Sequence, residues 1–217
     1  MATRFYLPST GAAAVSPAYS ARWEDTSIAA GLKCVTVKIS SAMTTVSFVD
    51  VDATNKDILF RQYVSDPISA QTIAAQTVRY QIRGSEIGLG NNLLADIDIR
   101  VVSNDGTVVR GTILSTRAAG GEYNTTLENS FVTTTSSTEV IASEADRIVI
   151  EIGQGGDPDV GGTHSGSLSI GDDSGTDLPE DGTDTNPYNP WVNFANSITF
   201  TSSTTAKPKL MMTMGVG

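Results

Sequence analysis

The chain has 217 residues, with 24 acidic against 14 basic side chains and a formal net charge of −10. Such a charge repels phosphate backbones and anionic lipid headgroups, which argues against nucleic acid and membrane surfaces as partners. A hydrophobic share of 39% is enough to fill one large core, and abundant Ser and Thr with 20 glycines suit turns and half-buried strands rather than long helices. Cys34 is the only cysteine, so no disulfide can form within the chain, and its apolar neighbours in LKCVTVKI read it as a core thiol. No segment approaches the ~20 apolar residues of a membrane span, and the N-terminus lacks a signal-peptide run, so the sequence reads as one assembled in a cytoplasm.

Residues 1–31 carry Phe5, Tyr6 and Trp23 among prolines and small residues without a 2-residue or 3.6-residue apolar period. They read as an extended arm that docks through its aromatics on the parent domain or on a neighbouring subunit, leaving the domain able to fold without it. From residue 32 onward short alternating runs recur. LKCVTVKI is expected to place Val35, Val37 and Ile39 on one face, and VRYQIRG sets Val78, Tyr80 and Ile82 opposite Arg79, Gln81 and Arg83. TTVSFVDV is a less regular strand, and DPISAQTIAAQ tolerates either a helical or an extended path. LLADIDIRVV alternates Ala95, Ile97, Ile99 and Val101 with Asp96, Asp98 and Arg100, and the Asp-Gly of SNDGT predicts a hairpin into VVRGTIL.

Further on, a turn is expected at Ser143 to Asp146, followed by a strand with Ile148, Ile150 and Ile152 inward; HSGSLSIG offers Leu168 and Ile170, and WVNFANSITF offers Phe194, Ile198 and Phe200. About eight strands without crossover helices predict an all-β fold, an antiparallel β-sandwich of jelly-roll type. The expected organisation is an N-terminal arm (1–31), a sandwich domain (32–200) and a C-terminal tail (201–217) whose Leu210, Met211 and Met212 pack on the domain or on a neighbour.

The residues offer little for catalysis. His164 is the only histidine and sits in the polar stretch GGTHSGS; GDDSG resembles the GDSGG of chymotrypsin-like proteases but has an inserted Asp and lacks the second Gly. Zinc is not expected with one Cys and one His. Asp172, Asp173, Asp177 and Asp181 are the candidate ligands for a structural calcium, although no EF-hand spacing is completed and a solvated loop is the simpler reading. No phosphate-cradling loop is present, so no cofactor is expected. Arg79, Arg83, Arg100 and Arg110 are expected on the outward faces of adjacent strands, making solvated pairs with Asp96 and Asp98 rather than an anion site.

Several segments occur together: MATRFYLPSTGAAAVSP, ARWED, RQYVSDPISAQTI, RVVSNDGTVVRGTIL, ADRIVIEIG and GDDSGTDLPEDGTDTNPYNPWVNF. This combination resembles a group of virion-associated proteins of tailed bacteriophages abundant in viral metagenomes, over most of residues 1–200; the Met-rich ending departs from it. The resemblance implies a non-enzymatic structural protein of the virion, a capsid decoration or a tail or neck component, assembled in the bacterial cytoplasm. Its partners would be copies of itself and other virion proteins, with Phe5, Tyr6, Trp23, Leu210, Met211 and Met212 as contacts. The alternative is a carbohydrate-binding jelly-roll module of a host-adsorption apparatus, in which Tyr188 and Trp191 stack on a host-surface glycan.

Overall fold

The computed structural model describes residues 2–26, 30–50, 56–88, 93–117, 122–135, 138–156, 164–174 and 190–201. The strands are β1 (Thr3–Tyr6), β2 (Asp25–Thr26), β3 (Leu32–Lys33), β4 (Ser41–Asp50), β5 (Asp57–Val64), β6 (Gln71–Ile73) and β7 (Thr77–Glu86). They continue with β8 (Leu93–Val102), β9 (Val109–Arg117), β10 (Glu128–Thr135), β11 (Val140–Ala142), β12 (Arg147–Gly156), β13 (His164–Asp172) and β14 (Trp191–Phe194). There is no helix among the described residues.

Two six-stranded sheets face each other. The first runs β1-β14-β7-β13-β4 with β10 on the other edge of β7, and the second runs β2-β5-β12-β8-β9 with β3 also on β5. The long strands pair in a nested series, β8 with β9, β7 with β10, β5 with β12 and β4 with β13, all antiparallel. Successive pairs of these long strands alternate between the two sheets, and the short β6–β11 pair forms a two-stranded sheet of its own. Between the sheets lie Val78, Tyr80, Ile82, Leu168, Val192 and Phe194 from one side and Ile58, Phe60, Ile97, Ile99, Ile148, Ile150 and Ile152 from the other. The period-2 expectation therefore selects the core-facing residues of β7, β8 and β12 correctly.

Three sequence expectations change. The first six residues are not an arm: β1 pairs with β14, and Phe5 is fully buried, edge-on to Phe194 and Phe200. The sandwich thus begins at residue 3, and a four-residue strand is too short to have shown a period. LKCVTVKI is not one strand either. The Cys34 amide bonds to β5 at Val64, whereas Val35 exchanges backbone hydrogen bonds with Tyr6 of β1. A segment stepping from one sheet to the other cannot keep alternate residues on one face, so Cys34 is buried while Val37 and Ile39 are 73% and 41% exposed. Lastly, β7 belongs to one sheet and β8 and β9 to the other, so Arg79 and Arg83 are not on strands adjacent to those of Arg100 and Arg110.

The expected hairpin joins β8 to β9. Gly106 takes φ 79°, a left-handed conformation that strains other residues, and its amide bonds to the Ser103 carbonyl. Asp105 accepts hydrogen bonds from the Ser103 hydroxyl (2.5 Å) and from the Thr107 amide (3.1 Å) and hydroxyl (2.9 Å). The Ser103 hydroxyl bond, then those from Thr107, hold its pKa down at about 2 from the usual 3.8. Because the folded value is depressed, this turn contributes stability above pH ~4 that is lost as the pH falls toward ~2. A carboxyl-carbon NMR titration of Asp105 should give a midpoint near 2. A midpoint near 3.8 would show that the three bonds do not persist in solution.

Candidate functional site

On the outer face of the second sheet, one cross-strand row runs Gln62–Glu151–Asp98–Ser115 through β5, β12, β8 and β9. Outer rows of an antiparallel sheet ordinarily meet water. Here residues 11–24 cross the sheet as a strap and cover its Gln62, Glu151 and Asp98, leaving Ser115 exposed at the end. At one end Ala13 and Val15 pack on Val64, Val102 and Val149, a small apolar cluster separate from the main core. Farther on, the Pro17 carbonyl accepts from Gln62 Nε2 (3.1 Å) and the Ala18 carbonyl from Arg100 Nη2 (3.1 Å).

Glu151 is the centre of the sealed region and is fully buried. Its carboxylate accepts from Arg100 Nη2 (2.6 Å), Gln62 Nε2 (2.9 Å), Trp23 Nε1 (2.7 Å) and the Ser20 amide (3.1 Å). Asp98, also buried, accepts from the Ser20 hydroxyl (2.7 Å) and lies 3.6 Å from Arg100 Nε. Arg22 pairs with buried Asp96 (2.8 Å) and with Asp57 (3.5 Å), and its guanidinium stacks 5.3 Å from the Trp23 ring centroid. Gly153 lets this ring approach, since a Cβ there would lie 2.7 Å from Trp23 Cζ3 and 2.0 Å from the Ile58 carbonyl oxygen.

The cluster therefore holds carboxylates without offering them. A general acid or nucleophile must reach substrate, and these are covered by the strap and matched by two guanidiniums and a set of neutral donors. What the arrangement does is fasten residues 17–24 to the sheet. The expectation that Asp96, Asp98 and Arg100 are solvated is thus corrected: all three are buried. Glu151, Gln62, Ser20 and Arg22 were not singled out from the sequence. The available signal was IVIEIG, where the outward neighbours of Glu151 are Val149 and Gly153, poor companions for a solvated face.

The other aromatic candidates are also occupied internally. Tyr6 is buried opposite Trp191, and Trp23 is half-buried in the strap, so Phe5, Tyr6 and Trp23 serve this chain's own packing. Trp191 is 4% exposed, with Tyr6 and Gln81 beside it in register and the Arg4 guanidinium 4.4 Å from its ring centroid. A sugar-stacking platform needs an open ring face, which Trp191 lacks. Tyr188, Asp177, Asp181, Leu210, Met211 and Met212 lie outside the described residues.

Asp172 is buried and its carboxylate is taken by the Lys38 ammonium (2.5 Å) and the Ser174 amide (2.8 Å), a donor set that competes with a cation rather than assisting one. Asp173 is exposed, and its carbonyl accepts from the Ser40 hydroxyl. Burial raises the Cys34 thiol pKa far above its ordinary range, so it stays protonated and unreactive. Arg110 is held by Asp146 at 3.0 Å.

The exposed surface of interest is β4 and the chain leading into it. Met43 and Val49 are 43% and 56% exposed on β4, closely following Val37 and Ile39. β4 pairs with β13 along one side, and among the described residues no strand pairs along its other side. Ser41–Val49 contains no charged residue, Pro or Gly.

No protein-family model matches the chain, and no curated protein does either. Among solved structures, a CocE/NonD family hydrolase from Staphylococcus aureus superposes with a TM-score of 0.50 at 7% identity, over 92% of this chain and 37% of the hydrolase. Structures of infectious bursal disease virus, of the Gx strain and of a VP2 subviral particle, give TM-scores of 0.32 and 0.29 at 15% and 13% identity, each over 74% of this chain and 38% of theirs. The chain spans little more than a third of the length of these structures. At 7% identity the hydrolase likeness concerns the β-sandwich fold and brings no active site with it.

Proposed function

We propose that this chain is a non-enzymatic structural protein of a virion, of the kind tailed bacteriophages carry on the capsid or in the tail or neck, and that it acts through contacts between subunits. The observation that carries the reading is strand β4, exposed, free of charge over Ser41–Val49, with Met43 and Val49 on its surface and, among the described residues, no strand pairing along its other side. A long edge with unpaired backbone groups and apolar side chains is an aggregation hazard in a free monomer, and natural proteins usually blunt it with charge, Pro or a covering segment. In an assembly the same edge is an attachment surface. The buried fastening of the strap supports this use, since a module repeated through a shell gains from a rigid frame. The group resemblance in the sequence points the same way.

The test is to purify particles from the bacterial culture that makes the protein and quantify its peptides by mass spectrometry. Repeated copies per particle are expected for the wild type, together with loss of the Met43→Lys/Val49→Lys variant from particles despite unchanged circular dichroism. Finding the chain only in the soluble cell fraction would overturn the proposal.

A further inference from the structure

We infer that the partner of β4 is β4 of a second copy, paired antiparallel across a two-fold axis at Val46 so that two six-stranded sheets become one. This rests on the reading of β4 as a contact surface and names what it contacts. Opposed residues of an antiparallel pair point to the same face, so a symmetric pairing must set odd residues against odd and even against even. With the axis at Val46, Met43 stands opposite Val49 and Thr45 opposite Ser47 on the outer face, while Thr44 stands opposite Phe48 on the inner face. A shift of the axis to Thr45 puts Met43 against Ser47 and Val49 against Ser41; a shift to Ser47 separates Met43 from Val49 as well. Only the Val46 register joins the strand's two exposed large apolar side chains, and it does so twice.

The self-complementary register favours a second copy over other occupants, and the local absence of charge permits one. Copies carrying −10 each repel one another, and Ser41–Val49 is a seam from which that charge is missing. Asp50 is the one acid of the strand, and in this register it stands opposite Ala42, eight residues along from its symmetry mate, about 27 Å at strand rise and beyond the ~8 Å screening length. By contrast β9, at an edge of the other sheet, carries Arg110 and Arg117 and two register shifts against β8, devices that discourage pairing, while the one shift of β4 lies at its start, between Ser41 and Thr44. At ten residues β4 is also longer than the usual strand of about 5–6.

Single-cysteine variants test the register. Cys34 is 2% exposed and does not compete for cross-linking. An oxidised mixture of Met43→Cys and Val49→Cys chains should form a mixed disulfide dimer, because directly opposed Cβ atoms lie about 4.5–5.5 Å apart, while neither variant alone should cross-link, since like positions are then six residues apart. Without cysteines, Met43→Lys/Val49→Lys should raise the dimer dissociation constant roughly tenfold or more by native mass spectrometry, through like charges set face to face. Equal cross-linking in the single-variant and mixed samples, or a wild-type chain that stays monomeric at its highest soluble concentration, would overturn the pairing. A monomer that is nevertheless built into particles would overturn this inference alone; a cross-linked dimer absent from particles would confirm it and overturn the virion reading.

Discussion

Replacing Glu151 by Ala should lower the unfolding free energy by about 3–5 kcal/mol, the loss seen when one member of a buried ionic network is removed. Of its four donors, Arg100 and Gln62 are buried beneath the strap, while Trp23 and the Ser20 amide belong to the strap itself and are partly buried. The most costly is Arg100, 5% exposed, whose remaining anionic neighbour is Asp98 at 3.6 Å. Against a typical total of about 5–15 kcal/mol, the loss leaves a marginal protein. Urea unfolding followed by far-UV circular dichroism measures it directly. Glu151→Gln, similar in shape but uncharged, isolates the ionic part. A loss below ~1 kcal/mol for the alanine variant would mean that water reaches the carboxylate and that the strap is not a seal.

Deleting residues 2–22 should abolish the cooperative fold. The deletion removes β1 and with it Phe5 and Leu7, both buried in the main core, and a single buried Phe→Ala change already costs about 3–5 kcal/mol. It also uncovers the Val64, Val102 and Val149 cluster and leaves Glu151, Asp96 and Asp98 without Ser20 and Arg22. These losses together exceed the stability of an ordinary domain. The sequence expectation was the opposite, an arm the sandwich could spare. Thermal unfolding of the truncated chain should show no sharp transition, and Phe5→Ala alone should lower the midpoint; a truncated chain melting cooperatively at the wild-type temperature would refute the account.

Alternation made the sandwich legible because each strand reports which side chains share a face. Ile97, Ile99, Ile148, Ile150 and Ile152 were therefore recognisable as core, and the Asp-Gly of SNDGT as a turn. What alternation does not report is whether the other face is covered. Asp96, Asp98 and Arg100 look outward in any single-strand reading, and only the strap converts them from solvated to sealed. Trp191 is the same case on the other sheet, where Arg4, far away in sequence, lies over its ring and Tyr6 stands opposite it in register. The strap escaped notice because its contacts are irregular backbone against side chain, with no period to detect.

The pairing of Thr3 with Phe194 sets a delay on synthesis. A ribosome adds about 5–20 residues per second, so roughly 10–40 s separate the emergence of β1 from that of β14, with which it pairs. Throughout that interval Phe5 and Leu7 have no finished core to enter, and until β12 is made the acids beneath residues 17–24 have no complete sheet on which to meet their donors. Docking of β1 must then be post-translational or very late, with its last step the closing of β1 on β14. Loop-closure entropy across nearly the whole chain makes that step slow compared with forming the β8–β9 hairpin. While being made, the protein would therefore place a population of incomplete, sticky chains in the care of chaperones and within reach of proteases.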